Sequence, residues 1–83
     1  MSGYEPRPGD SLSPRELDVV AGIANGLHNQ EIARELGLGT ETVKTHVRNA
    51  MAKLNATSRA NLVWICAVRG LLHFSHQARP RKG

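Results

Sequence analysis

The feature that most constrains this chain is the segment from Thr40 to Leu54, TETVKTHVRNAMAKL, because two incompatible surfaces are written on it. Val43, Val47, Ala50, Met51 and Leu54 recur at the spacing of a single helical face. At roughly 100° per residue, Glu41, Thr45, Arg48 and Ala52 point nearly the opposite way, with Lys44 beside them. Thr42, His46, Asn49 and Lys53 run along the other flank. One face needs a core; the other is polar, short-chained and cationic.

The segment before it sharpens the meaning of that polar face. Residues 29–36, NQEIAREL, make a second amphipathic pattern with Ile32, Ala33 and Leu36 inward, followed by Gly37, Leu38 and Gly39. Helix, short glycine-containing turn, helix is the order of a helix-turn-helix, whose second helix reads the DNA major groove. On this reading Thr40 to Leu54 is the recognition helix.

An 83-residue chain has room for one small core. Aromatic residues are limited to Tyr4, Trp64 and Phe74, no stretch alternates at the period of a strand, and apolar residues recur at helical spacing, so the expected class is all-α. The net charge of +4 favours polyanionic partners. Much of the excess sits in Arg79, Arg81 and Lys82; between Leu12 and Leu72 there are seven Lys and Arg against five Asp and Glu, a net of +2. A body so weakly basic predicts modest affinity for nucleic acid from one copy. The single Cys66 has no internal partner, which suits a reducing compartment. No apolar run approaches the roughly 18 residues of a membrane span, and no signal-like N-terminus is present, so a cytoplasmic location, on the nucleoid when DNA-bound, is expected.

In chain order, residues 1–11 hold two prolines and two glycines without helical period and read as a flexible arm or linker remnant. Ser13, Pro14 and Glu16 form a capping-box start, and Asn25-Gly26 a stop, for a first helix with Leu17, Val20, Ala21 and Ala24 inward and Val19 and Ile23 widening the stripe. Asn29 is expected to cap the second helix in place of His28. Gly39 stands at the cap of the third, and its free amides are open to a phosphate. Asn55-Ala56-Thr57 makes a turn, Ser58 caps a fourth helix through Arg69, and Leu71 and Leu72 fold back on the bundle. That fourth helix is apolar on more than one side: beyond Leu62, Val63, Cys66 and Ala67, it carries Trp64, Ile65 and Val68 on another arc, which predicts a partner, most simply a second copy. Residues 73–83 read as a basic, disordered tail.

Together, Leu12-Ser13-Pro14-Arg15-Glu16-Leu17, Gly26-Leu27-His28-Asn29-Gln30-Glu31-Ile32-Ala33, Glu41-Thr42-Val43-Lys44-Thr45-His46-Val47, and Lys53-Leu54 followed by Ser58-Arg59-Ala60 resemble the LuxR-type (NarL- or GerE-type) helix-turn-helix domain of bacterial transcription regulators. The resemblance covers residues 12–72. It implies a four-helix domain whose third helix enters the major groove and whose fourth mediates dimerisation on a two-fold symmetric site. It assigns base reading to Lys44, Thr45 and Arg48, and backbone anchoring to Asn29, Thr42 and Lys53, with Gln30 and His46 as further candidates. His28 and Gly39 stand where the family commonly has Ser-like caps. Glu41, where some members carry lysine, has three available roles: accepting from a cytosine amino group, repelling phosphate, or complementing the helix dipole.

The implied function is sequence-specific binding of double-stranded DNA by a response-regulator effector domain or stand-alone transcription regulator, as a homodimer, with RNA polymerase a further partner. Two other readings compete. A region-4-like domain of a sigma factor would bind a promoter only together with polymerase, and the fourth helix argues against it. A protein-interaction module that has lost its DNA face is opposed by Lys44 and Arg48. No enzyme is indicated, since the sequence holds no catalytic triad pattern, glycine-rich phosphate loop or metal-ligand cluster; no cofactor or metal is expected, His73 and His76 in the tail being too few as ligands.

Overall fold

A computed structural model describes residues 5–72 of the chain, which fold into four helices: α1 (Pro14–Ala24), α2 (Asn29–Leu36), α3 (Thr40–Leu54) and α4 (Arg59–Val68). The described residues contain no strand, so the chain is all-α with a helix-turn-helix in α2 and α3. Helix α3 is the hub and packs against α1, α2 and α4, while α1 also touches α2 and α4. Helices α2 and α4 flank α3 without packing on each other.

The core follows from the apolar periodicity. Val19 and Val20 of α1, Ile32 and Ala33 of α2, Val43, Val47, Ala50 and Leu54 of α3, and Leu62 and Cys66 of α4 are buried together. Leu72 closes the cluster from beyond α4, as the fold-back of the chain end requires. In α1 the widening residue Val19 is fully buried, whereas Leu17 is only half-buried, so the inward arc is rotated from the expected stripe. Gly22 explains how α1 and α2 approach: a Cβ there would lie 2.8 Å from Cγ1 of Ile32.

The helix ends are set locally. Ser13 Oγ accepts from the Glu16 amide at 3.1 Å while Glu16 Oε1 accepts from the Ser13 amide at 2.9 Å, completing the capping box. The N-cap of α2 is His28 and not Asn29, which is already helical; Glu31 Oε1 accepts from the His28 amide at 2.7 Å and so stabilises the start without a capping side chain from His28. The turn between α2 and α3 is made by Gly37 at φ 71°, with the Leu38 amide reaching back to the Ala33 carbonyl at 2.8 Å, a Schellman closure that directs α3 across α2. Asn55 does the same after α3 at φ 54°, a conformation its short amide side chain tolerates.

Residues 5–11 do not behave as the free arm expected of them. The Arg7 amide donates to Asp10 Oδ2 at 3.0 Å and the Asp10 amide to the Arg7 carbonyl at 3.0 Å, forming a turn. The Gly9 amide in that turn donates to the Lys53 carbonyl at 2.9 Å, so the arm satisfies one of the carbonyls left open at the end of α3. The tail assigned to residues 73–83, with His73 and His76, lies outside the described residues.

Candidate nucleic-acid interface

Helix α3 begins at Gly39 with no side-chain cap, which leaves its first amides unclaimed by any side chain. From there Glu41, Thr42, Lys44, Thr45 and Arg48 are all exposed while Val43 and Val47 are buried on the reverse side, so the two-faced helix is realised with the base-reading candidates gathered on one arc. Glu41 Oε2 pairs with Lys44 Nζ at 3.1 Å, one turn apart. Both partners are largely exposed, and a pair of this kind contributes at most about 1 kcal/mol, so either group is easily released to a stronger partner. Glu41 lies in the first turn of α3, where a carboxylate complements the helix dipole, and it pairs with Lys44.

Thr45 Oγ1 donates to the Glu41 carbonyl at 3.1 Å. Its hydroxyl proton is thus engaged within the helix, which leaves the oxygen's lone pairs and the methyl group to offer a base edge. Arg48 makes no ion pair with a described residue, and its guanidinium is available for the bidentate pairing that guanine O6 and N7 accept.

The backbone-anchoring candidates divide. Thr42 and Gln30 are exposed, and Asn29 is half-buried at the first turn of α2. Asn29 Oδ1 is buried without a hydrogen-bond partner among the described residues; a half-turn of the amide exchanges its donor and acceptor ends at that point. His46 is half-buried, and its Nδ1 likewise lacks a partner.

Lys53 is the correction. Its side chain is only 6% exposed, and Nζ donates to Glu16 Oε1 at 2.7 Å in a buried pair that ties the end of α3 to the start of α1. A cation so placed is committed to the core boundary and is not presented to a DNA phosphate. Sequence reasoning missed the pair because Glu16 already had a complete local explanation as the capping-box acid. The one available signal was a lysine at the inner edge of the α3 apolar stripe, adjacent to Leu54.

On α4, Trp64 and Val68 are each 63% exposed, but Ile65 is half-buried and packs partly on the core, so the unpartnered arc centres on Trp64 and Val68. The sequence reading also left unassigned a groove of about 460 Å³ between the N-termini of α2 and α4, lined by His28, Asn29, Gln30, Glu31 and Arg59. Among the described residues no group of three or more His, Cys, Asp or Glu is arranged to hold a metal ion, and no helix is long and apolar enough to cross a membrane.

The family model described as bacterial regulatory proteins, luxR family, matches residues 10–66, which contain all of α1 to α3 and most of α4. The chain is 50% identical over 56 residues to a nitrate/nitrite response regulator protein homolog of Haemophilus influenzae, covering 68% of this chain and 27% of that protein. It is 48% identical over 59 residues to the nitrate/nitrite response regulator protein NarP of Escherichia coli, covering 71% of this chain and 27% of NarP. Over 58 residues it is 43% identical to the transcriptional regulatory protein LiaR of Bacillus subtilis, with 70% and 28% covered. The chain thus spans little more than a quarter of the length of these relatives.

Proposed function

Because the chain belongs to the luxR family of bacterial regulatory proteins, we propose that it acts as a transcription regulator by binding double-stranded DNA sequence-specifically, with α3 in the major groove. The observation that carries the reading is the exposed arc of Lys44, Thr45 and Arg48 on a helix whose opposite side is fixed by Val43, Val47, Ala50 and Leu54. A reader must be rigid, and the buried side of α3 supplies that; the exposed Lys44–Glu41 pair is weak enough for Lys44 to be given up to a base. Lys44 and Arg48 donate to base-edge acceptors, and Thr45 meets a thymine methyl. Asn29, Gln30 and Thr42 fix the register through phosphates, with His46 at the edge of that set. Lys53 holds the reader in place from inside.

The same proposal makes the working unit a homodimer joined through Trp64, Val68 and the exposed edge of Ile65, on a two-fold symmetric site. A mildly basic domain gains affinity and specificity from a second copy reading a second half-site. The names of the relatives, response regulators among them, support regulation of transcription and argue against catalysis. Selection of bound duplexes from a random pool tests the reading as a whole. The expected result is a short motif present twice in inverted orientation, its centres about 10 base pairs apart. A pool that shows no enrichment removes sequence-specific binding and favours a protein-interaction role, and enrichment of a single unpaired motif removes the dimer.

A further inference from the structure

We propose that Arg59, in the first turn of α4, is a further DNA-contacting residue that takes a backbone phosphate of the strand anchored at the start of α2. The inference rests on the DNA-binding reading above. Its basis is the groove that opens because α2 and α4 flank α3 without meeting: Asn29 and Gln30, the α2 residues assigned to backbone anchoring, form one wall, and Arg59 stands in the other. A strand held by the first wall runs beside the second.

The groove holds one cation, Arg59, and one anion, Glu31. Arg59 is exposed and makes no ion pair or side-chain hydrogen bond with a described residue. Glu31, the acid in the lining, directs Oε1 to the His28 amide and forms no ion pair with Arg59. Arg59 is also held at its root: Ser58 Oγ accepts from the Asn61 amide at 3.0 Å and Asn61 Oδ1 accepts from the Thr57 amide at 2.9 Å, a double closure that fixes where α4 starts.

Helical geometry separates this residue from the proposed dimer surface. At roughly 100° per residue, Arg59 lies about 140° around α4 from Trp64 and about 180° from Val68. A side chain on the far side of α4 from the exposed apolar arc is free for DNA while a second copy occupies that arc.

The test compares wild type with Arg59→Ala and Arg59→Lys on a selected duplex and on a random-sequence duplex of equal length, between 50 and 200 mM salt. Loss of one phosphate contact lowers the salt slope by about 0.9 per bound domain, so the wild-type advantage over Arg59→Ala narrows about 3.5-fold per domain across that range. Both duplexes are expected to weaken by the same factor, and Arg59→Lys to retain the wild-type slope. Sedimentation without DNA and the melting temperature are expected to match wild type for both variants. An Arg59→Ala slope equal to wild type, or a defect confined to self-association, overturns the assignment while leaving the DNA-binding reading intact. Absence of binding by wild type itself overturns both.

Discussion

At the scale of the residue, the position with most at stake is Lys53. Its pair with Glu16 is buried on both sides, at 6% and 4% side-chain exposure, and Glu16 Oε1 also serves the capping box of α1. Removing one member deprives the other's buried charge of this partner, which costs about 3–5 kcal/mol. Lys53→Met and Glu16→Gln are each expected to shift the urea midpoint strongly, and the double variant, which keeps the cap acceptor, to recover most of the loss. Additive single losses in that cycle would show that the two side chains act independently. Arg48 behaves oppositely: Arg48→Ala should leave stability unchanged, cost about 1–3 kcal/mol of binding and relax preference at one base position. A binding-site profile identical to wild type would remove Arg48 from the readers. Cys66 is buried, and burial pushes its thiol above the ordinary range, with Arg69 opposing the shift. A raised folded value contributes stability that is full below the ordinary thiol range and is lost as pH rises through the raised value. Neutral-pH alkylation is therefore expected only at the rate of unfolding, and rapid modification of the native protein would contradict that environment. These residues also show where sequence reading stops: Arg48 was legible because exposure follows from helical phase, whereas Lys53 was not, because its partner lies 37 residues away.

At the scale of the element, helix boundaries were legible where a short-range hydrogen bond decides them. Ser13, Pro14 and Glu16 start α1, and Asn25-Gly26 ends it, since each feature acts within a few residues. The second helix was less legible because its capping acid, Glu31, bonds a backbone amide and is indifferent to whether residue 28 is Ser or His. Crossing geometry was not legible at all. Gly22 reads as an ordinary weak point in a helix, yet it is where Ile32 of α2 enters α1. Gly22→Ala gains up to about 1 kcal/mol of helix propensity but overpacks a fully buried isoleucine, a penalty of about 1–3 kcal/mol. The contact atom is Cγ1, close to the Ile32 backbone and hard to move, so the penalty should win. Thermal unfolding is expected to drop by several degrees, about 4–8 °C per kcal/mol lost in a domain of this size. An unchanged or higher melting temperature would mean that α1 and α2 separate freely, and that α3 is less firmly placed than its contacts imply.

At the scale of the whole molecule, the balance lies between a small cationic reading face and the copy number needed to use it. Pairing Lys53 with Glu16 removes one cation and one anion from the surface together, so the body stays at its modest net charge, and on the proposed reading its attraction to DNA rests on exposed cations such as Lys44 and Arg48. A single domain with so few contacts has little affinity to begin with, whatever the salt. In the proposed dimer the exposed Trp64 and Val68 would join two reading helices without occupying either proposed DNA face. Trp64→Glu puts a charge in that surface while leaving the core untouched, so the variant should fold like wild type. It should sediment as a monomer at concentrations where wild type pairs. On a duplex with two half-sites it should bind one at a time, with the second binding no tighter than the first. Retention of wild-type stoichiometry and cooperative binding would place the contact between copies elsewhere on the molecule. The separation of Arg59 from the Trp64 arc then gives a sharper discrimination: Trp64→Glu should weaken binding to two half-sites more than to one, whereas Arg59→Ala should weaken both in proportion to the number of domains bound.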